Sequence, residues 1–369
     1  MERSGAFAAL TFAPVAEQLE AKRLLSAALQ EGPAHAYLLH GPPGVGKRAL
    51  AMLFAAELLG EHARVERRSH PDLYVLEPLG DQIRIDDIRG LRSDLHMRPF
   101  EASRRVYLIF GADTMNEDAA DALLKDLEEP PSYAVLVLVA NDLGPLPETI
   151  RSRCQLVPFR RLSESAVRAE IRAHAPELAD EEVTSLARVA AGRLDRAVRL
   201  LDPAAAKRRE TLLAVARAVY LDPGFDAGDG AQALLEGIAQ RGEEAKEKAE
   251  ESVAVLELTG REAEQRLRRA QRGAERDELL AALEELEWWY RDIVVLAAGA
   301  EAAVVHVDRL DDLRSDATRE RLQGAERACE LIRAAWRDAE ELQLSAPLAL
   351  EALLLRLRRE LAGPALVPG

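Results

Sequence analysis

HGPPGVGKRAL, residues His40 to Leu50, decides how the first part of this chain folds. Its pattern is G-x-x-x-x-G-K, a loop that wraps a phosphate with backbone N–H groups. An apolar run, AYLLHG, precedes it, and a helical stretch from Val45 to Leu59 follows it, which is the strand–loop–helix context the motif needs. Gly41, Gly44 and Gly46 let the backbone curl round an anion, and Lys47 supplies the charge. The next position calls for Ser or Thr, whose hydroxyl ligates magnesium, but Arg48 stands there. A guanidinium has no lone pair to give a metal.

Working outward, AYLLHG, VYLIFG and AVLVLVAN are short apolar runs closed by Gly or Asn, and DLYVLEP is a fourth candidate. Such runs predict buried strands of a parallel sheet covered on both faces. Helical stretches at Ala16–Gln30, Val45–Leu59 and Glu117–Leu127 alternate with them, so a doubly wound α/β domain is expected. In phosphate-loop ATPases a strand end supplies an acidic residue to the same magnesium. Here RRVYLIFGAD puts Phe110 and Gly111 in that place, and Asp113 comes after the expected strand end. Two metal-handling elements are absent, so no ATP hydrolysis is expected.

After about residue 160 the strand-like runs stop. The expected domains are an α/β part over 1–160, a helical lid over 161–206 and an all-helical region over 207–369, with a charged helical insertion at about 225–277. That insertion mixes both signs and reads as a long exposed helix or a hairpin. A nucleic-acid contact through Arg261, Arg266, Arg268, Arg269 and Arg272 is the sharper alternative, and the acidic neighbours disfavour it. Trp288, Trp289 and Trp336 are read as core residues.

The chain has 369 residues, 48% of them hydrophobic and 4% aromatic, enough to bury more than one core and inclined to helix. The net charge of −15 argues against nonspecific DNA binding by the whole surface. With Cys154 and Cys329 alone, neither a disulfide framework nor a four-thiolate zinc site is available. The first residues lack a leader pattern and no run approaches the roughly 20 apolar residues that span a bilayer, so a cytoplasmic protein with no membrane partner is expected.

HAYLLHGPPGVGK, HPDLYVLEP, VYLIFGAD, DALLKDLEEPP, LPETIRSRCQ and SAPLALEALLLRLRR together resemble the delta prime family of bacterial DNA polymerase III clamp-loader subunits, within the AAA+ proteins. The resemblance is close over the first 200 residues and loose beyond them. It implies an AAA+ P-loop domain, a lid and a helical collar that joins a five-subunit ring. It also implies that Ser152, Arg153 and Cys154 form the family's Ser-Arg-Cys motif, with Arg153 the arginine finger reaching a neighbour's ATP site. The implied partners are the tau/gamma ATPase subunits, the clamp-opening delta subunit and, through the complex, the sliding clamp and primed DNA. Cys154 beside the finger is read as a packing residue.

The departures are as informative. Most relatives carry a four-cysteine zinc module before the His-Pro-Asp stretch, but this chain has LLGEHARVERRSHPD there, so no metal is expected and His62 and His70 are read as surface or packing residues. Active relatives place a nucleotide-sensing arginine in the lid where GRLDRAVRLL puts Asp195, flanked by Arg193 and Arg196. The expected function is a non-hydrolysing subunit of a DNA polymerase assembly with no required cofactor, leaving open a bound, unhydrolysed ATP or ADP on Gly41, Gly44, Gly46 and Lys47. The alternatives are an active tau/gamma-like ATPase motor and an independent DNA-binding module.

Overall fold

A computed structural model describes residues 12–78, 82–255, 260–341 and 346–362. The first residues of the chain, part of the charged insertion (256–259) and Ser345 of the last family-like segment lie outside them. In chain order the elements are α1 (Leu19–Glu31), β1 (Ala36–His40), α2 (Lys47–Leu59), α3 (His62–Glu66), β2 (Leu73–Leu76), α4 (Ile85–Leu95), β3 (Arg105–Phe110), α5 (Glu117–Glu128), β4 (Ala134–Ala140), α6 (Glu148–Arg151) and β5 (Gln155–Pro158). Helices alone follow: α7 (Glu164–His174), α8 (Asp180–Ala190), α9 (Leu194–Leu201), α10 (Pro203–Leu221), α11 (Ala227–Val255), α12 (Gly260–Ala297), α13 (Leu310–Asp316), α14 (Leu322–Glu341) and α15 (Ala346–Leu361), with short 3-10 turns between some of them. The chain divides into two compact units, 1–170 with 191–196, and 171–190 with 197–369.

The first unit is built on a parallel sheet in the order β2-β3-β4-β1-β5. The expected α/β P-loop fold is what forms, and the physical reason is visible in the strands. β1, β3 and β4 are apolar at almost every position because both faces are covered. Tyr37, Leu39, Val106, Leu108, Phe110, Val135, Val137 and Val139 enter one core with α1 and α2. Their neighbours Ala36, Leu38, Tyr107, Ile109, Leu136 and Leu138 enter a second core with α4 and α5. Strand side chains alternate faces, so a continuous apolar run is the only sequence that fills both cores. Chain order takes β2 to the far edge and brings β4 back between β3 and β1, which puts the carboxyl ends of these three parallel strands side by side.

Beside the short helices α3 and α6, β5 and α4 were not foreseen. β5 has four residues of which Gln155 and Leu156 are exposed, so neither alternation nor an apolar run marks it; its pairing with β1 defines it. α4 carries Gly90 and many charges, which mask the buried stripe Ile88, Leu91 and Leu95. Its start is fixed by the Asp87 carboxylate, which accepts the Arg84 N–H at 2.8 Å.

In the second unit α10 to α15 share one core that includes Leu212, Val219, Leu286, Ile293, Ile332 and Leu354. Trp289 is fully buried and donates to the Tyr220 hydroxyl (3.2 Å), which donates to Asp316 (2.8 Å). Trp336 is half-buried and packs against the same core, so the expectation of core tryptophans is met at Trp289 and Trp336, while Trp288 is half-buried. The charged insertion is two long helices, α11 and α12, packed on each other. Its polar groups pair locally: Arg268 binds Glu264, and Gln271 donates to Glu243 and Glu275 at 3.0 Å each. No helix among the described residues is long and apolar enough to cross a membrane.

Candidate functional site

The loop leaves β1 at Gly41 and delivers the chain into α2 at Lys47. Gly41 and Gly44 have φ of 138° and 67°, and a Cβ at either would overlap a neighbour, the Phe159 carbonyl at Gly41 and the Asp195 carboxylate at Gly44. Those two positions are therefore closed to side chains. Lys47 is almost completely buried, and its Nζ donates to the carbonyls of Gly41 (2.6 Å) and Pro42 (2.5 Å). Burial pushes its pKa down to about 8, against the opposing pull of the Asp113 and Asp195 carboxylates. The ammonium is turned onto its own loop.

The metal corner has been rebuilt. Arg48 forms an ion pair with Glu77, which also holds Arg68 at 3.0 Å. Its guanidinium carbon lies 4.4 Å from the centre of the Phe110 ring. The residue replacing the magnesium-binding hydroxyl thus stacks on the residue replacing the acidic strand end. Asp113 lies beyond β3, as expected, in a 3-10 turn (Ala112–Thr114). Its Oδ2 accepts the N–H groups of Asn141 (2.9 Å) and Asp142 (3.2 Å) at the end of β4, and its charge reaches Lys47. Its Oδ1 is buried without a hydrogen-bond partner, while Arg48 offers a metal no lone pair, so the hydroxyl half of a magnesium grip is not formed.

Gln18 was missed by sequence reasoning. Its side chain donates to the Arg160 carbonyl (2.7 Å) and to that of Val45 (3.4 Å), and accepts the Arg160 N–H (3.1 Å), tying the loop to the segment after β5. Its partner is 142 residues away, so no local pattern announces it. After Gly192, Arg193 binds the Asp195 carboxylate through Nε and Nη2 at 3.1 and 2.7 Å, and its charge also reaches Lys47.

Ser152, Arg153 and Cys154 follow α6; the first two meet at the Thr149 carbonyl near the surface, and Cys154 turns inward. The Arg153 guanidinium is about one-third exposed, donating to the Thr149 carbonyl (2.9 Å) and to Glu128 at the end of α5 (2.6 Å). Ser152 is exposed and its hydroxyl donates to the Thr149 carbonyl at 3.1 Å. Cys154 is buried in the sheet's second core, and burial pushes its thiol up to about 12. A thiol so placed is a packing group.

Where relatives are expected to carry zinc, Glu61, His70 and Glu101 bring possible ligand atoms within 4.8 Å of one another. The acids are already bridged by Arg64, at 3.0 and 2.7 Å, and His70 Nδ1 accepts the Asp72 N–H at 3.0 Å. His70 is thus a buried packing residue, and His62 sits at the surface beside Glu57 (3.0 Å). 

The family described as "DNA polymerase III, delta subunit" matches residues 17–163. The delta′ subunit of Pseudomonas aeruginosa DNA polymerase III is 41% identical over 136 residues, 33% of this chain and 42% of that protein. The Bacillus subtilis delta′ subunit is 35% identical over 146 residues, 36% of this chain and 44% of its own length. The tau subunit from the same organism is 32% identical over 200 residues, 50% of this chain and 35% of that protein. The chain thus spans less than half the length of these curated relatives. Over residues 17–163, where the P-loop fold agrees with the match, this chain is similar to the DNA polymerase III delta subunit family and to the delta′ subunits of two bacteria.

Proposed function

We propose that this protein is a delta prime type subunit of a clamp loader that does not hydrolyse ATP itself. In this reading it scaffolds the ring through its helical second unit and presents Arg153 to the ATP site of a neighbouring tau/gamma-type subunit. Its partners are those ATPase subunits and the clamp-opening delta subunit, and through the assembly the sliding clamp and primed DNA. It requires no nucleotide or metal of its own.

The observation that carries the reading is the Arg48–Phe110 contact, because it fills with a cation and a ring the corner where a magnesium-bound triphosphate needs oxygen ligands. The case for Arg153 is that a guanidinium held at the surface by Glu128, the Ser152 hydroxyl and a backbone carbonyl, all exposed contacts, can turn toward an incoming phosphate at little cost. The experiment is phosphate release by the purified chain with ATP and magnesium, then by the ring reconstituted with the family's other subunits. No turnover alone, and ring turnover that depends on this chain, support the reading.

An ATPase motor of the tau type is the second reading, favoured by the retained loop glycines and Lys47 and by the similarity to tau over half of the chain. Magnesium-dependent turnover by the chain alone, abolished by Lys47→Ala, would establish it instead.

A further inference from the structure

The lid segment does more than lack an arginine. After Gly192 the chain is fixed to the α/β unit by the Leu162 N–H, which donates to the Gly192 carbonyl at 3.0 Å, and by Arg161, whose Nη1 donates to the Ala191 carbonyl at 3.0 Å. Leu194 then donates its N–H to the carbonyl of Gly44, the middle glycine of the phosphate loop, at 2.7 Å. One residue on, the Asp195 carboxylate lies in the space a Cβ of Gly44 would fill. It is held there by the Arg196 N–H (2.9 Å) and by the Arg193 guanidinium. Lys47 meanwhile spends its protons on the Gly41 and Pro42 carbonyls.

We propose that Asp195 is a built-in anion that closes the phosphate loop to nucleotides, and that this residue, rather than the loop itself, keeps the site empty of ATP and ADP. This inference deepens the reading of the chain as non-hydrolysing and rests on it.

The physical case has three parts. A phosphate loop binds its ligand because its amides and lysine form a concentrated positive field, and a carboxylate fixed against the loop cancels that field before a ligand arrives. The charge is real: burial alone would raise the Asp195 pKa, but Arg193, the Arg196 amide and Lys47 outweigh burial and hold the carboxyl below its ordinary range. A triphosphate approaching Gly44 would therefore meet like charge, and also a strap, since the Leu194–Gly44 hydrogen bond fixes the lid segment across the loop. Gly41, Gly44, Gly46 and Lys47 retain the chemistry to bind phosphate once this anion is gone.

The test uses the full chain and ATP, titrated by calorimetry with and without magnesium, beside a separate phosphate-release assay. Wild type should show no saturation below the millimolar range. Asp195→Asn keeps the size and the acceptor for the Arg196 N–H while removing the charge, and Asp195→Ala removes both. Each should tighten ATP binding by about tenfold or more, and Lys47→Ala added to Asp195→Asn should erase the gain. Micromolar ATP binding by wild type overturns the proposal, as does unchanged affinity in an Asp195→Asn protein whose melting temperature is preserved. The two readings separate cleanly: wild type that binds ATP tightly without releasing phosphate defeats only the role given to Asp195, whereas wild type that releases phosphate defeats the non-hydrolysing function as well.

Discussion

The guanidinium of Arg48 lies over the ring of Phe110, 4.4 Å from its centre, so the two residues that depart from a working phosphate-loop site have become each other's partners. A cation on an aromatic face is worth about 0.5–1 kcal/mol at an exposed site. The exposed Arg48 and buried Phe110 form one local unit, with Glu77 paired to the cation.

Because the corner is filled jointly, single reversions should not restore turnover. Arg48→Thr leaves Phe110 where an acid is needed, and Phe110→Asp leaves no hydroxyl for the metal. Both single variants are expected to release no phosphate from ATP above background in the same assay. Their stabilities should differ as well: in urea unfolding Arg48→Ala costs roughly 1 kcal/mol or less, since the guanidinium is itself half in water, and Phe110→Ala costs about 3–5 kcal/mol by opening the core beside α2.

Arg153→Ala should leave the isolated chain nearly as stable as before, within about 1 kcal/mol, because an exposed ion pair contributes little. In the reconstituted ring the same change should lower ATP turnover by a factor on the order of 10³ without changing the mass of the assembly, since a finger acts on charge developing in the transition state. Glu128→Gln frees the guanidinium and should leave turnover at least at its wild-type level. Equal turnover in Arg153→Ala and wild-type rings would remove the finger.

His306 gives the second unit a pH dependence. Its ring is fully buried; Nδ1 lies 2.8 Å from Asp292 and Nε2 lies 3.1 Å from Glu285, while Arg209 pairs with Glu285 and Asp308. Burial alone would lower the imidazole pKa, but the bonds and charges of Asp292 and Glu285 outweigh it and raise the pKa above 6.5. A raised folded pKa means that the contribution is fully present below the unfolded pKa of about 6.5 and is lost as pH rises through the folded value. Melting temperature should therefore fall as pH rises above about 6.5, and His306→Gln should flatten that slope. An unchanged slope in the variant would assign the pH dependence to other groups.

Cys154 and Cys329 are both buried, and burial pushes their thiols up to about 12 and about 11. Alkylation at pH 8 should label neither in the folded chain and both in denaturant. Fast labelling of Cys154 in the native protein would contradict the position given to the Ser152–Cys154 segment.

The sequence by itself determined the elements whose signal is local. A glycine-rich loop between an apolar run and a helix, and strands apolar at almost every position, specify a two-sided parallel sheet because both sets of side chains must be buried. It also carried the loss of the metal ligands, since Arg48 and Phe110 are read directly against the motif. Only the tertiary structure decided what replaced them. That Arg48 and Phe110 touch, that Gln18 ties Val45 to Arg160, and that Asp195 lies against Gly44 all depend on segments remote in the chain meeting at the sheet's carboxyl edge. β5 belongs to the same class, a strand by virtue of pairing with β1. Periodicity records what a residue buries within its own element, and contacts made across more than a hundred residues leave no trace in it.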